Sequence, residues 1–191
     1  NPARNADAMQ REKNQEQALH PLYNYALIAD AVEGLILVNV DTLQDGEPRN
    51  NQLKRALTWN VNGVLKGARH LAIAGTHIYV IADAGLVVLD LAEPLQPKLV
   101  GITPMSDARS VSVQFRYAFV TSARGLEVFD ITQPAQPVAK ALLPMADARR
   151  VYVARTYAYV AAGTEGLVVV DVQNPEQPRV LTRTTADGRL K

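Results

Sequence analysis

The segment from Tyr117 to Val138, YAFVTSARGLEVFDITQPAQPV, occurs in this chain in four related versions. Two of them are YAYVAAGTEGLVVVDVQNPEQPR, from Tyr157 to Arg179, and HIYVIADAGLVVLDLAEPLQPK, from His77 to Lys98. A shorter version, YALIADAVEGLILVNVD, runs from Tyr25 to Asp41. The aspartate after the second apolar run stands at positions 90, 130 and 171, in steps of 40 and 41 residues. A period of this length, built from short β-type runs, is typical of a radial or stacked β-repeat.

One repeat has room for four short strands. From Ser110 to Phe115, apolar residues alternate with polar ones, which predicts a half-buried strand that includes Phe115. The chain then turns at Arg116 and Tyr117. Three further strands are expected at 118–121, 126–131 and 138–143, the last of them after a proline-rich loop. A four-stranded meander of about 40 residues is the size of a propeller blade.

The third strands of the repeats, 86–91, 126–131 and 167–172, are nearly continuous apolar runs. Runs of this kind are typical of strands that are covered on both faces. No run shows a helical period, and prolines and β-branched residues recur too often for helices. The sequence therefore predicts an all-β fold, a β-propeller with three to four four-stranded blades that stack face to face.

The repeats suggest the division of the chain. We expect a polar arm or linker at residues 1–18, followed by repeats at about 19–66, 67–106, 107–146 and 147–186. Residues 187–191 open one more repeat, so we expect the chain to belong to a larger closed propeller. The first repeat departs from the others, because Asn39 replaces the aspartate and extra residues lie between Asp41 and Lys66. Within them, Leu53 to Trp59 fits a strand or a short helix equally well.

Composition excludes several classes of function. Of the 191 residues, 48% are hydrophobic, which indicates globular material. Lys and Arg number 20 against 19 Asp and Glu, so the sequence lacks the basic excess of a nucleic-acid binder. There is no cysteine, which rules out disulfides, thiolate nucleophiles and zinc–thiolate sites. No apolar run in the sequence reaches the ~20 residues that cross a bilayer as a helix.

One repeat resembles a known family. The segment Gly166 to Val172, GLVVVDV, followed by Asn174-Pro175 and Pro178, resembles the LVIVD repeat of bacterial and archaeal surface proteins. The runs 86–91 and 126–131 match the same core. The resemblance implies a propeller-like fold and an extracytoplasmic location, on the cell surface or in the periplasm. It implies no catalytic residues, because the activity of that family is generally undefined.

A series of arginines with a spacing of 40 residues is the most suggestive polar feature: Arg69, Arg109, Arg149 and Arg189. In a propeller, these residues would ring one end of the central channel and could bind an anionic ligand or a partner's carboxylate. The alternative, which we favour, is that each arginine pairs with the acid of this element in a neighbouring blade and locks the blades together: Asp107, Asp147 and Asp187. Gly67 stands where the other repeats have that acid, which predicts a free positive charge at Arg69, next to His70.

Other candidate residues have weaker support. The aspartates at 90, 130 and 171 are better explained as acceptors for the turn that follows them than as metal ligands. The three histidines match no metal-binding spacing, and neither a catalytic motif nor a cofactor motif is present in the sequence. We therefore expect no metal and no cofactor. Lys54, Arg55 and Trp59 in the first repeat are candidates for contact with a protein partner.

Three functions follow from these observations. The first is a non-catalytic scaffold of the cell surface or periplasm that binds another protein. The second is a ligand-binding, hydrolytic or lyase propeller with an anion site at the channel mouth, formed by Arg69, His70, Arg109, Arg149 and Arg189. The third is an accessory subunit of a larger assembly, including a redox assembly. Protein partners are expected in the first and third cases, and nucleic acid in none.

Overall fold

The computed structural model describes residues 20–43 and 47–185, which form four antiparallel sheets, one for each repeat. Sheet 1 contains β1 (Tyr25–Asp30), β2 (Gly34–Asn39) and β3 (Lys54–Trp59). Sheet 2 contains β4 (His70–Ala74), β5 (His77–Ala82), β6 (Gly85–Asp90) and β7 (Lys98–Thr103). Sheet 3 contains β8 (Ser110–Gln114), β9 (Tyr117–Ser122), β10 (Gly125–Asp130) and β11 (Val138–Pro144). Sheet 4 contains β12 (Arg150–Ala154), β13 (Tyr157–Ala161), β14 (Leu167–Asp171) and β15 (Arg179–Thr184).

The strands of every sheet are paired in sequence order, as the meander predicted from the repeat requires. The pairing between the third and fourth strands shifts by one residue at the same place in sheets 2, 3 and 4, after Val88, Val128 and Val169. Such a bulge increases the local twist of the strands. Its recurrence shows that the repeats share backbone geometry as well as sequence.

Sheet 1 shows whether the segment before Trp59 in the first repeat forms a strand or a short helix. The segment from Lys54 to Trp59 is a strand and pairs with β2, so the sheet has three strands. Short 3₁₀ turns lie on either side of it: Asp41–Leu43, Pro48–Asn50 and Val61–Gly63. The extra residues of this repeat thus supply the third strand. The arm expected at residues 1–18 and the repeat expected to open at 187–191 lie outside the described residues.

The core lies between the sheets. Sheets 1 and 2 enclose one cluster of buried apolar side chains, sheets 2 and 3 a second, and sheets 3 and 4 a third. In sheet 2, Val87 and Leu89 face sheet 1, whereas Leu86 and Val88 face sheet 3. All four side chains are fully buried. The predicted burial of both faces is therefore confirmed for β6, and the apolar run of that strand is explained by its two neighbours.

Sheet 4 differs, because no described residues cover its second face. Val168 and Val170 are buried against sheet 3, but Leu167 is 43% exposed, whereas Leu126 at the same repeat position is 0% exposed. The prediction that the run 167–172 is covered on both faces is wrong within the described structure. The four sheets form an open stack rather than a closed ring.

The turn between β8 and β9 also differs from the prediction. Phe115 does not lie on the buried face of a strand, since it is the first residue of the two-residue turn Phe115–Arg116. Its side chain is 91% exposed and its φ is +52°. Gly75 and Arg155 occupy the same position in sheets 2 and 4, also with positive φ. Two-residue hairpin turns require such a backbone, which explains why the turn begins one residue earlier than expected.

The aspartates at the ends of the third strands have the predicted structural role. A carboxylate oxygen of Asp90, Asp130 and Asp171 accepts a hydrogen bond from the backbone N–H two residues later, at 2.8 to 2.9 Å. This Asx-type bond starts the proline-containing loop. No group of three or more His, Asp or Glu side chains that could hold a metal ion occurs within residues 20–43 and 47–185.

Candidate functional site

Arg69, Arg109 and Arg149 define one end of the stack, here called the arginine end. Each lies directly before the first strand of its sheet, and its backbone N–H donates to the second strand at 2.8 to 3.0 Å. The acceptors are the carbonyl oxygens of Ile81, Thr121 and Ala161. The repeat thus places the three arginines at equivalent points, as their spacing predicts. Arg189 lies outside the described residues, and its role stays a prediction.

Arg109 links sheets 3 and 4. Its Nη1 donates to Asp147 at 2.8 Å and to the carbonyl oxygen of Ala148 at 3.1 Å, and its Nε donates to Asp107 at 3.0 Å. Arg149 donates to Asp147 at 2.8 Å from the other side. Hydrogen bonds and the charges of Arg149 and then Arg109 lower the pKa of the Asp147 carboxyl. The expected contact with the acid of a neighbouring repeat is thus present for Arg109, whereas Arg149 pairs with the acid of its own repeat.

Arg69 is paired as well, so the predicted free positive charge is not found there. Its guanidinium forms an ion pair with Asp83, a residue of the turn between β5 and β6. A Cβ atom on Gly67 would lie 2.1 Å from the Asp83 carboxylate. Sheet 4 has the reverse arrangement, since a Cβ atom on Gly163 would lie 2.2 Å from the Asp147 carboxylate. In sheet 2 the glycine precedes the first strand and the acid lies in the turn before the third strand, whereas in sheet 4 the two are interchanged. Both sheets therefore have one carboxylate at this point.

A groove of about 560 Å³ follows the first strands of sheets 2, 3 and 4 and continues onto the uncovered face of sheet 4. Three of its polar side chains are His70, Arg150 and Tyr152. His70 Nδ1 accepts a hydrogen bond from the backbone N–H of Val111 at 3.2 Å. Burial lowers the pKa of His70, and the nearby charge of Arg150 lowers it further. His70, which the sequence placed next to Arg69, therefore lines this groove, and its lowered pKa favours the neutral ring at pH 7.

Sequence reasoning missed Arg150, because it treated the preceding arginine as the residue of interest. The side chain of Arg150 forms no hydrogen bond or ion pair with any other described residue. The signal was available, since positions 70, 110 and 150 share the repeat spacing and carry histidine, serine and arginine. The series changes from hydrogen-bond acceptors at positions 70 and 110 to a cation at position 150, and this change indicates a special role for Arg150.

The other end of the stack, here called the loop end, carries Phe115. Arg116 lies over the ring of Tyr117, 5.1 Å from its centroid, and donates to the Tyr117 hydroxyl at 2.9 Å. That hydroxyl donates to Glu176 of the loop before β15 at 3.1 Å. Sheets 3 and 4 are thus linked by side-chain hydrogen bonds beside the exposed phenylalanine.

The candidates in the first repeat have structural surroundings of their own. Trp59 is partly buried and packs against the apolar cluster between sheets 1 and 2. Arg55 forms an ion pair with Glu33, and Lys54 is exposed at the start of β3. A role of these residues in binding a partner stays a prediction. The described residues contain no helix long and apolar enough to cross a membrane.

Comparison with solved structures shows what this architecture resembles. A functionally unknown protein from Desulfotomaculum acetoxidans matches with a TM-score of 0.60 and 13% identity over 90% of this chain and 59% of the other. A protein from Lactobacillus plantarum matches with a TM-score of 0.63 and 12% identity over 87% of this chain and 65% of the other. A structure of a nidogen–laminin complex contains a chain that matches with a TM-score of 0.56 and 11% identity, over 83% and 61%.

These similarities establish a β-propeller-like fold and nothing beyond it. The chain spans about 59% and 65% of the lengths of the two bacterial structures. A search of curated proteins found no match. The model of the LVIVD repeat matches three times, at residues 67–103, 106–142 and 146–185, which are the repeats that form sheets 2, 3 and 4. The chain therefore belongs to the LVIVD-repeat family.

Proposed function

We propose that this chain is a non-catalytic β-propeller-type scaffold that binds another protein through its loop end, outside the cytoplasm. The observation that supports the proposal is the exposure of Phe115. Its ring is 91% exposed, and its positive φ costs a bulky residue about 1–3 kcal/mol. Gly75 at the equivalent turn fits this backbone without that cost. An apolar side chain held in an unfavourable backbone at the tip of a hairpin is well suited to a binding role.

The surroundings of Phe115 favour protein binding over a purely structural role. Arg116 and Arg155 are exposed in neighbouring turns of sheets 3 and 4, and Tyr157 follows directly. Aromatic residues and arginine are the types most enriched among the residues that dominate protein interfaces. The hydrogen bonds of Tyr117 to Arg116 and Glu176 hold this surface in place before binding, which limits the entropy lost on association.

The chemistry of the surface specifies the partner. The Phe115 ring requires an apolar pocket on the other protein. Arg116 and Arg155 favour acidic groups at the rim of that pocket, because the side chain of Arg155 has no ion-pair partner among the described residues. The proposed partner is therefore a folded protein with an apolar pocket that carries carboxylates at its edge.

Site-specific photo-crosslinking tests this proposal. A benzophenone amino acid is placed at Phe115 and, as the matched control, at Val32, which is 83% exposed in a turn at the opposite end. Both proteins are expressed in the source organism and irradiated in intact cells. We expect a single protein crosslinked from position 115 and not from position 32. Crosslinks shared by both positions, or only to a second copy of this chain, would contradict the proposal.

The variant Phe115→Gly separates binding from folding. Glycine is the residue of the equivalent turn in sheet 2, so the variant should fold at least as well as the parent. Its affinity for the crosslinked partner should fall at least 30-fold, the effect of losing a dominant interface residue. Val32→Ala should leave the affinity unchanged. An unchanged affinity of Phe115→Gly would overturn the assignment of the loop end.

The proposed location outside the cytoplasm rests on the family resemblance. Cell fractionation with an antibody against this chain tests it. We expect the protein in the periplasmic or surface fraction, and recovery with cytoplasmic markers would contradict the proposal.

A further inference from the structure

The groove along the first strands has a composition that the loop end does not share. Its walls are largely apolar, and they include Leu71, Ile73 and Val113. Among residues 20–43 and 47–185, no acidic residue lines it. A groove of about 560 Å³ is within the size range of small-molecule sites, which combine apolar walls with a few oriented polar groups.

The repeat position at the start of each first strand changes chemistry across the three sheets. In sheet 2, His70 accepts a hydrogen bond from Val111 of sheet 3 at 3.2 Å. In sheet 3, Ser110 accepts one from Val151 of sheet 4 at 3.3 Å. In sheet 4, Arg150 stands at this position, and a guanidinium donates hydrogen bonds but cannot accept one. The third member of the series therefore cannot repeat the link between blades that the first two form.

His70 offers a second donor in the same groove. Because Nδ1 accepts the hydrogen bond from Val111, the proton of the neutral ring is carried by Nε2. Burial, followed by the charge of Arg150, lowers the pKa of this histidine and keeps it neutral at pH 7. The ring thus presents an N–H donor close to an unpaired positive charge.

Two tyrosines complete the polar inventory. Tyr152 and Tyr159 line the groove, and neither hydroxyl forms a hydrogen bond with another described residue. Each ring adds apolar area and each hydroxyl adds a further donor. The described lining of the groove therefore combines one cation, several donors and aromatic walls, and it contains no negative charge to compensate the cation.

From these observations we infer that the groove binds a small organic carboxylate with an apolar body. The guanidinium of Arg150 pairs with the carboxylate. The His70 Nε2–H and the tyrosine hydroxyls donate to it, and the apolar part packs against Leu71, Ile73 and Val113. This site is distinct from the proposed loop-end surface, because Phe115, Arg116 and Arg155 do not line the groove.

Three probes at pH 7 test the class of ligand: benzoate, its neutral analogue benzamide, and inorganic phosphate. Binding is followed by NMR from the ring resonances of His70, with calorimetry for the affinity. We expect saturable shifts with benzoate and at least tenfold weaker binding of both benzamide and phosphate. If benzamide bound as tightly as benzoate, the negative charge of the ligand would not matter. If phosphate bound as tightly, the apolar body of the ligand would not matter. Either result, or no saturable shift with benzoate, would overturn the inference.

Substitutions locate the site. Arg150→Gln replaces an exposed side chain by another polar one and removes its charge, so the fold should be unaffected while benzoate binding falls at least tenfold. Arg155→Gln is the matched control, because it removes an exposed arginine of the same sheet that does not line the groove. We expect unchanged affinity for this control. Equal losses in both variants, or none in Arg150→Gln, would overturn the placement of the ligand.

Discussion

Sheets 3 and 4 share a sequence pattern but not an environment. In sheet 3, β10 lies between two other sheets, and its residues from Gly125 to Phe129 are buried on both faces. In sheet 4, β14 carries the same pattern, yet only Val168 and Val170 are buried. The repeat sequence sets the strands, their pairing and the face toward the previous sheet. The neighbour that follows determines whether the other face is buried, and a pattern within one repeat contains no information about that neighbour.

The largest expected effect comes from the equivalent leucines of these two strands. Leu126→Ala removes a fully buried side chain and should lower the free energy of unfolding by about 2–5 kcal/mol. Leu167→Ala removes one that is 43% exposed and should cost below ~1 kcal/mol. Urea denaturation monitored by circular dichroism measures both. Equal costs would show that the two faces are equally buried and would remove the distinction between the sheets.

A buried acid distinguishes sheet 3 further. Glu127 stands where sheet 4 has Val168, and its carboxylate accepts a hydrogen bond from Ser122 at 2.6 Å. Ser122→Ala leaves that buried oxygen without this donor and should cost about 1–3 kcal/mol. In the double variant with Glu127→Val, which restores the pattern of sheet 4, most of the loss should be recovered. The same denaturation series checks this, and an additive loss in the double variant would contradict the pairing.

The turns of the two sheets offer a smaller effect. Phe115 and Arg155 both have positive φ, of +52° and +55°. Replacing either by glycine, the residue of the sheet 2 turn, relieves the strain but increases the freedom of the unfolded chain. The net expectation is a stabilisation of up to about 1 kcal/mol, of similar size in both variants. Calorimetric melting temperatures test it, and a clear destabilisation by Phe115→Gly would show that the ring contributes to folding.

The smallest effect concerns the contact between the sheets at the arginine end. The Asp147 carboxyl has a lowered pKa in the folded protein, so its contribution to stability is present above the unfolded value of about 3.9 and is lost as the pH falls. Asp147→Asn should therefore lower stability at pH 7 and have little effect near pH 2. Denaturation midpoints across this range measure the difference. A gap between the two proteins that does not change with pH would contradict the ionic contact.

Most of the fold was accessible from the sequence because the repeats confirm one another. The strands, their meander order and the turn-forming role of Asp90, Asp130 and Asp171 followed from spacing and residue type. Phe115 was misplaced because the alternation of residues continues into the turn, and alternation alone does not show where a strand ends. The backbone of the equivalent Gly75 turn identifies the position.

The candidate site was less predictable, since it depends on contacts between repeats. The pairing of Arg69 was missed because its acid comes from the turn at Asp83 and not from the element that supplies Asp147. A comparison of the segment before the first strand with the turn before the third strand reveals the exchange: Gly67 stands where sheet 4 has Asp147, and Gly163 stands where sheet 2 has Asp83. The orientation of Arg150 into the groove depends on how three sheets are arranged, which no single repeat encodes.

Thiol accessibility shows directly whether the second face of sheet 4 is uncovered in the described open stack. The chain has no cysteine, so Leu126→Cys and Leu167→Cys each introduce a unique thiol. We expect a thiol reagent to modify the folded Leu167→Cys protein rapidly and the folded Leu126→Cys protein at least 100-fold more slowly. Equal protection at both positions would contradict this expectation, because the second face of sheet 4 would then be covered within this chain.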